Sequence, residues 1–261
     1  MKEDVRINDF IITPLRTCDS HLVPTLIKYN LNEDIYPLTI YSSNKYELYL
    51  SKLLSIPSRL RKVQYFGAYQ DNTLLGFTEW RILEDEIFLN QISLFPTYRS
   101  MGVGKALLEH GFTLAKDYKK TKMSLDVFED NHYAEEWYRR KGFISVTTTQ
   151  WYLGNQIRNF NIEKSNHYSI ENFTSSEAEQ EIYRFSTLNV KTPTRMYQVG
   201  RIKEHIFRLN GINIFLDEGL QCVLQELDNS RSLLILTDKE IKCNQFLFKA
   251  ASKRMSLNLC E

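Results

Sequence analysis

The chain has 261 residues, 33 of them lysine or arginine and 32 aspartate or glutamate, and 43% are hydrophobic. A net charge of +1 offers no bulk attraction to nucleic acid or an anionic membrane, and the composition suits a globular protein with a sizeable core. No run approaches the roughly 18 apolar residues of a membrane helix, and the opening "MKEDVRINDF" lacks the apolar stretch of a signal peptide. The scattered cysteines and histidines predict free thiols and no metal, hence a cytoplasmic protein with neither nucleic acid nor membrane as partner.

In chain order, "DFIITPL" (9–15) alternates weakly and predicts a first strand. Two helical stretches follow within 19–56, separated by "NLNEDIYPLT", which is too polar and proline-interrupted for helix. "KVQYFGAYQ" and "TLLGFTEWRIL" read as a hairpin around Asp71-Asn72, and "EIFLNQISLF" (86–95) as a third strand ended by Pro96. A helix is predicted from about 103 to 118, with Val103, Leu107, Leu114 and Tyr118 on one face and Gly111 between them. "KMSLDVF" (122–128) is a strand, and "NHYAEEWYRRKG" a short helix between the start signal Asp130-Asn131 and the stop signal Gly142. "FISVTTTQWYLG" ends this part as one or two further strands.

The polar stretch 156–166, "QIRNFNIEKSN", reads as a linker between a first domain (1–155) and a C-terminal part (167–261). The latter predicts a strand, a helix ("SSEAEQEIYRFSTL"), several β runs, a short helix ("CNQFLFKAASK") and a last strand. "TKMSLDVFE" at 121–129 is echoed by "SKRMSLNLCE" at 252–261, which suggests a degenerate second copy of the first fold.

The densest glycine punctuation is "TYRSMGVGKALLE" (97–109), a loop entering a helix. A Walker A loop fails here, because Arg99 stands where its first glycine belongs and Ala106 follows Lys105. A dinucleotide fingerprint fails as well, because Leu107 replaces the third glycine and the loop is entered from a β meander. Arg99-Ser100-Met101-Gly102-Val103-Gly104 instead resembles the R/Q-x-x-G-x-G/A motif of the GNAT family of N-acetyltransferases. Glycines let backbone N–H groups approach a pyrophosphate at a helix N-terminus, and Lys105 adds positive charge nearby. Ser100 departs from the glycine that often follows the arginine.

A second stretch, Asn131, Ala134, Tyr138, Gly142 and Phe143, resembles the family's N-x-x-A-x-x-x-Y-x-x-x-G-F segment. The resemblance covers roughly residues 7–154. It implies an α/β (α+β) mixed sheet of GNAT type, with acetyl-CoA as co-substrate, no metal and an amine as acceptor. It also implies that Asn131 and Ala134 lie on the pantetheine arm, Tyr138 near the thioester sulfur, and the main chain of Ile92 and Leu94 along the arm.

A lysine-type amine is neutral only about once in 2500 molecules at pH 7, so a positioned base contributes materially. The candidates are Glu84, Asp85, Glu86 and Glu79. Glu86 ranks first, because it stands thirteen residues before Arg99, a spacing similar to that of the catalytic glutamate in histone-acetylating relatives. Tyr138 is the candidate general acid. Tyr29, Asp34 and Tyr36 are candidates for the acceptor wall. The activity implied is acetyl transfer to a primary amine by direct attack in a ternary complex. The alternative is a non-catalytic acyl-CoA-binding or regulatory module, and a homodimer is compatible with either. The C-terminal part lacks R-x-x-G-x-G, so a second acyl-CoA site is not expected there.

Overall fold

A computed structural model describes residues 10–155 and 168–259; the expected linker 156–166 and Cys260 lie outside the described residues. The chain divides into two compact units, neither contiguous in sequence. The first comprises Met1–Asn32, Glu47–Val146 and Arg254–Glu261, and the second Glu33–Tyr46 and Thr147–Lys253.

The first unit is built from β1 (Ile11–Pro14), α1 (Val23–Asn30), α2 (Tyr46–Ser55), β2 (Val63–Gln70), β3 (Thr73–Ile82), β4 (Glu86–Leu94), α3 (Val103–Asp117), β5 (Lys122–Phe128) and α4 (His132–Arg140). Strands β1 to β4 pair antiparallel in sequence order, whereas β4 and β5 are parallel and joined through α3. The hairpin turn holds Asp71 at φ 45° and Asn72 at φ 68°. Both central residues of a type I′ turn are left-handed, which Asp and Asn tolerate better than branched side chains. Helix α3 lays Leu108, Leu114 and Ala115 on a core formed by Trp80, Ile87, Leu89, Met123 and Leu125.

Gly111 of α3 lies directly on the fully buried Trp80, and a Cβ there would run into the indole atoms Cη2 and Cζ2. Alanine would gain about 1 kcal/mol of helix propensity, but overpacking a rigid core costs about 1–3 kcal/mol. Gly111→Ala is therefore expected to destabilise the chain, read as a lower denaturant midpoint at unchanged slope. A raised midpoint would mean that Trp80 yields freely.

The second unit holds β7 (Ser169–Ile170), α5 (Phe173–Tyr183), β8 (Phe185–Lys191), β9 (Met196–Ile202), β10 (Ile206–Asn210), α6 (Glu218–Asp228) and β11 (Ser232–Thr237). It also takes most of β6 (Ile144–Gly154) and the first part of β12 (Phe246–Asn258). Strands β8, β9 and β10 form an antiparallel meander and β10 runs parallel to β11, so the order strand, helix, three strands, helix, parallel strand follows that of the first unit, with the single helix α5 where the first unit has α1 and α2. The repeat suggested by the sequence is thus present in the order of elements. The echoed segments are not its equivalent strands, because β11 holds the place of β5, whereas residues 252–258 belong to the additional strand β12. The end of that strand completes the first unit: Met255 packs with Trp80 and Met123, and Arg254 Nε donates to Asp126 Oδ1 at 2.5 Å.

Two expected elements change. "CNQFLFKAASK" contains the start of β12 and is not helical. Helix α6 was not expected, although Leu220, Val223, Leu224 and Leu227 have helical spacing after the cap Asp217. Among the described residues no helix is long and apolar enough to cross a membrane.

Candidate active site

Strands β4 and β5 pair only from Glu86 opposite Lys122 to Leu89 opposite Leu125. Against β3, Trp80 faces Leu89 and Glu79 faces Gln91, so Asn90 is an extra residue in β4. A bulge of this kind bends its strand and increases the local twist. From Asn90 onward β4 leaves β5, and the edge Asn90–Leu94 borders a gap. The bulge is visible in the sequence, because the apolar residues Ile87 and Leu89 keep period two but the next, Ile92, comes three positions later.

The loop beyond β4 forms a candidate anion seat. Ser100 (φ 63°) and Gly102 (φ 81°) are both left-handed, with Met101 between them. Gly102 is the N-cap of α3 and no side chain caps that helix, so the N–H groups of Val103, Gly104 and Lys105 point out of its end. A Cβ at Gly102 would meet nothing within 4 Å, so the conformation, not crowding, calls for glycine there and the space in front of the helix stays open. Ser100 bears a left-handed strain of about 1–2 kcal/mol, which a glycine would not. Met101 and Val103 pack with Ala68, Leu75, Leu107, Ile92 and Leu94, which anchors the loop. The Arg99 guanidinium donates to the Tyr29 carbonyl and to Asn30 Oδ1, each at 3.2 Å. Lys105 Nζ lies 3.8 Å from Glu109 Oε1.

On the far side of the gap, Asn131 caps α4, its Oδ1 accepting the Ala134 N–H at 3.1 Å. Tyr138 is buried in the cluster holding Leu89, Leu125 and Val127, the residues at which β4 and β5 part. Burial pushes the Tyr138 phenol above its ordinary pKa, so it stays protonated throughout the neutral range.

The profile of the Acetyltransferase (GNAT) family matches residues 29–143. That stretch runs from the end of α1 to Phe143 and includes the gap, the loop and α4. Over these residues the chain matches the GNAT family. A curated spermidine N(1)-acetyltransferase of Thermoplasma acidophilum is 29% identical over 97 residues, covering 37% of this chain and 60% of that protein. The chain thus matches about three fifths of that relative's length. Among solved structures, a tandem GNAT protein from the clavulanic acid biosynthesis pathway superposes with a TM-score of 0.62 at 11% identity, covering 95% of this chain and 98% of that one. A GCN5-related N-acetyltransferase from Sphaerobacter thermophilus gives 0.61 at 10% identity, with 96% of each chain covered. These likenesses show the fold: a GNAT fold with a second GNAT-like part.

Within the matched stretch the carboxylates separate. Glu86, expected as base, stands at the paired end of β4, about 13 Å of strand from Asn90. Its carboxylate lies 3.0 Å from Lys122 Nζ and 4.0 Å from Arg254 Nη1, so it is committed to cations away from the gap. Glu84 and Asp85 fall in the β3–β4 turn. Glu79 sits at the bulge, 3% exposed, with Oε1 accepting from Asn90 Nδ2 at 2.8 Å and lying 3.5 Å from Arg81 Nε. Its neighbour Trp80 points to α3, so Glu79 faces the other side of the sheet.

The acceptor-wall candidates divide between the units. Tyr29 ends α1 in the first unit and stands exposed, its carbonyl holding Arg99. Asp34 and Tyr36 belong to the second, where the Tyr36 hydroxyl donates to the Tyr41 carbonyl at 3.0 Å.

Among its described residues, the second unit shows neither of these two features, the gap and the open helix start. Strands β10 and β11 pair from Ile206 opposite Ser232 through Asn210 opposite Leu236, and the Gly211 N–H then donates to the Leu236 carbonyl at 2.7 Å. No gap opens between them. The start of α6 is filled by the chain's own carboxylate, since Asp217 accepts from the Leu220 N–H (3.0 Å), Thr192 Oγ1 (2.8 Å), the Tyr197 hydroxyl (2.8 Å) and Thr194 Oγ1.

Proposed function

We propose that the chain transfers an acetyl group from acetyl-CoA to a primary amine by direct attack in a ternary complex. The observation that carries this reading is the pairing of an open β4 edge with an uncapped helix start at its end. An arm bearing amides fits the edge, and a pyrophosphate fits the helix start. When bound, acetyl-CoA supplies the activated thioester. The backbone N–H groups of residues 102–105, with Arg99 and Lys105, hold the pyrophosphate. Ile92 and Leu94 offer main-chain partners to the arm, and Asn131 and Ala134 flank it from the start of α4.

The chain's own chemistry then needs a base and a donor. Glu79, at the bulge where the gap begins, takes a proton from the substrate ammonium directly or through water, so that the neutral amine attacks and the carbon–sulfur bond breaks as the carbon–nitrogen bond forms. It is preferred to Glu86, which is tied to Lys122. Tyr138, on the other face, donates a hydrogen bond to the departing sulfur as negative charge develops. A small amine is the acceptor class first to be tried, because the Thermoplasma relative is named for spermidine.

Free-thiol release from acetyl-CoA, measured across polyamines, amino acids and aminoglycosides, tests the reading. Amine-dependent release supports it; tight coenzyme A binding with no release for any amine would leave a cofactor-binding module. Tyr138→Phe is expected to lower turnover tenfold or more while coenzyme A affinity is kept. Unchanged turnover would remove Tyr138 from the donor role.

A further inference from the structure

The end of α1 is stitched to both sides of the gap. Asn30 Nδ2 donates to the Leu94 carbonyl at 3.2 Å and to the Leu26 carbonyl at 2.7 Å, while Asn30 Oδ1 accepts from Arg99. Two residues on, Asn32 Nδ2 donates to Asp130 Oδ2 at 3.0 Å, just before the Asn131 cap of α4. Residues 30–32 therefore run from the last residue of β4 to the loop after β5.

The Leu94 carbonyl is not a casual partner. The Phe95 N–H of the same peptide donates to Leu75 on the β3 side, so the trans peptide turns the Leu94 carbonyl the opposite way, into the gap. That carbonyl is what an amide N–H lying along the β4 edge would seek. Arg99 is what a phosphate on the helix start would seek. One side chain, the Asn30 amide, engages both: its N–H occupies the carbonyl and its oxygen occupies the guanidinium.

We propose that Asn30 is a built-in stand-in for coenzyme A, and that residues 30–32 form a strap across the mouth of the gap that the cofactor displaces. This rests on the acetyl-CoA reading above and adds a regulation of that same site. Cofactor entry exchanges Asn30 for a pantetheine amide at Leu94 and for a phosphate at Arg99. The end of α1 is released only when both exchanges are made. Coenzyme A and the resting strap compete, so the strap lowers the apparent affinity by the fraction of chains in which it is closed.

The test is calorimetric titration of the full chain with coenzyme A, in wild type, Asn30→Ala and Asn30→Asp. Removing the amide lifts the competition, so Asn30→Ala is expected to bind about fivefold more tightly. Asn30→Asp holds Arg99 more firmly and sets a negative charge beside the phosphate seat, so it is expected to bind several-fold more weakly. Amide exchange at residues 29–32 is expected to speed up when coenzyme A is added to wild type. Equal affinity in wild type and Asn30→Ala, with exchange unaltered by the ligand, would overturn the strap while leaving the cofactor site intact. Absence of coenzyme A binding in wild type would overturn the site and the strap together. If Asn30→Ala does not fold, Asn32→Ala loosens the other end of the strap and is expected to shift affinity in the same direction; no shift there would also overturn the proposal.

Discussion

Glu79→Gln is expected to lower kcat for acetyl transfer by about a hundredfold at pH 7, with KM for acetyl-CoA nearly unchanged, whereas Glu86→Gln stays within a few-fold of wild type. Glutamine matches glutamate in size and keeps an oxygen for Asn90, so the bulge and the gap survive the change. What is lost is the capacity to hold a proton between the ammonium and solvent. An amine with pKa near 10.4 supplies its own neutral form tenfold more for each unit of pH, so the deficit of Glu79→Gln narrows as pH rises from 7 toward 9. A flat deficit would mark Glu79 as a support for β4 and not as the base. A large loss in Glu86→Gln that recovers with pH would return the role to Glu86, in spite of its contact with Lys122.

That contrast also shows where the sequence was readable. The loop and the α4 segment were legible because each depends on local chemistry: a left-handed glycine before a helix, an asparagine cap, a tyrosine two turns on. The placement of Glu86 was not, because spacing from Arg99 fixes a distance along β4 but not the residue at which β4 parts from β5. Only the hydrogen-bonded pairing of β4 with β5 locates that point at Leu89, and only the break in the apolar alternation at Asn90 hints at it in the sequence. The second unit was hard to read for a different reason. "FLFKAASKRMSLN" contains good helix formers, yet becomes strand because it has strand neighbours to pair with, and pairing overrides local propensity. Helix α6 was legible in principle from Leu220, Val223, Leu224 and Leu227, but the left-handed glycine of its loop, Gly211, stands seven residues before the helix and not at its cap as Gly102 does for α3.

Asp217→Ala is expected to cost about 3 kcal/mol of stability without creating a second coenzyme A site. In wild type the carboxylate caps α6 and accepts three hydroxyls, and its removal leaves the largely buried Thr192 and Tyr197 hydroxyls without that acceptor. Burial alone would raise the Asp217 pKa. The hydrogen bonds from Thr194, the Leu220 N–H, Thr192 and Tyr197 outweigh it and hold the group below its reference value of 3.8. With the folded pKa below the unfolded one, this stabilisation is complete above about pH 4 and fades as pH falls through the folded value. Wild type is therefore expected to lose stability more steeply than Asp217→Ala on acidification, read from denaturant midpoints between pH 3 and 6. Parallel pH profiles would show that the Asp217 charge does not matter. An emptied helix start is also only half of a cofactor site, because β10 and β11 stay paired to Leu236 and offer no edge to an arm. Coenzyme A stoichiometry in Asp217→Ala should thus equal that of wild type, and a second binding event would show that the gap, not the anion seat, is dispensable.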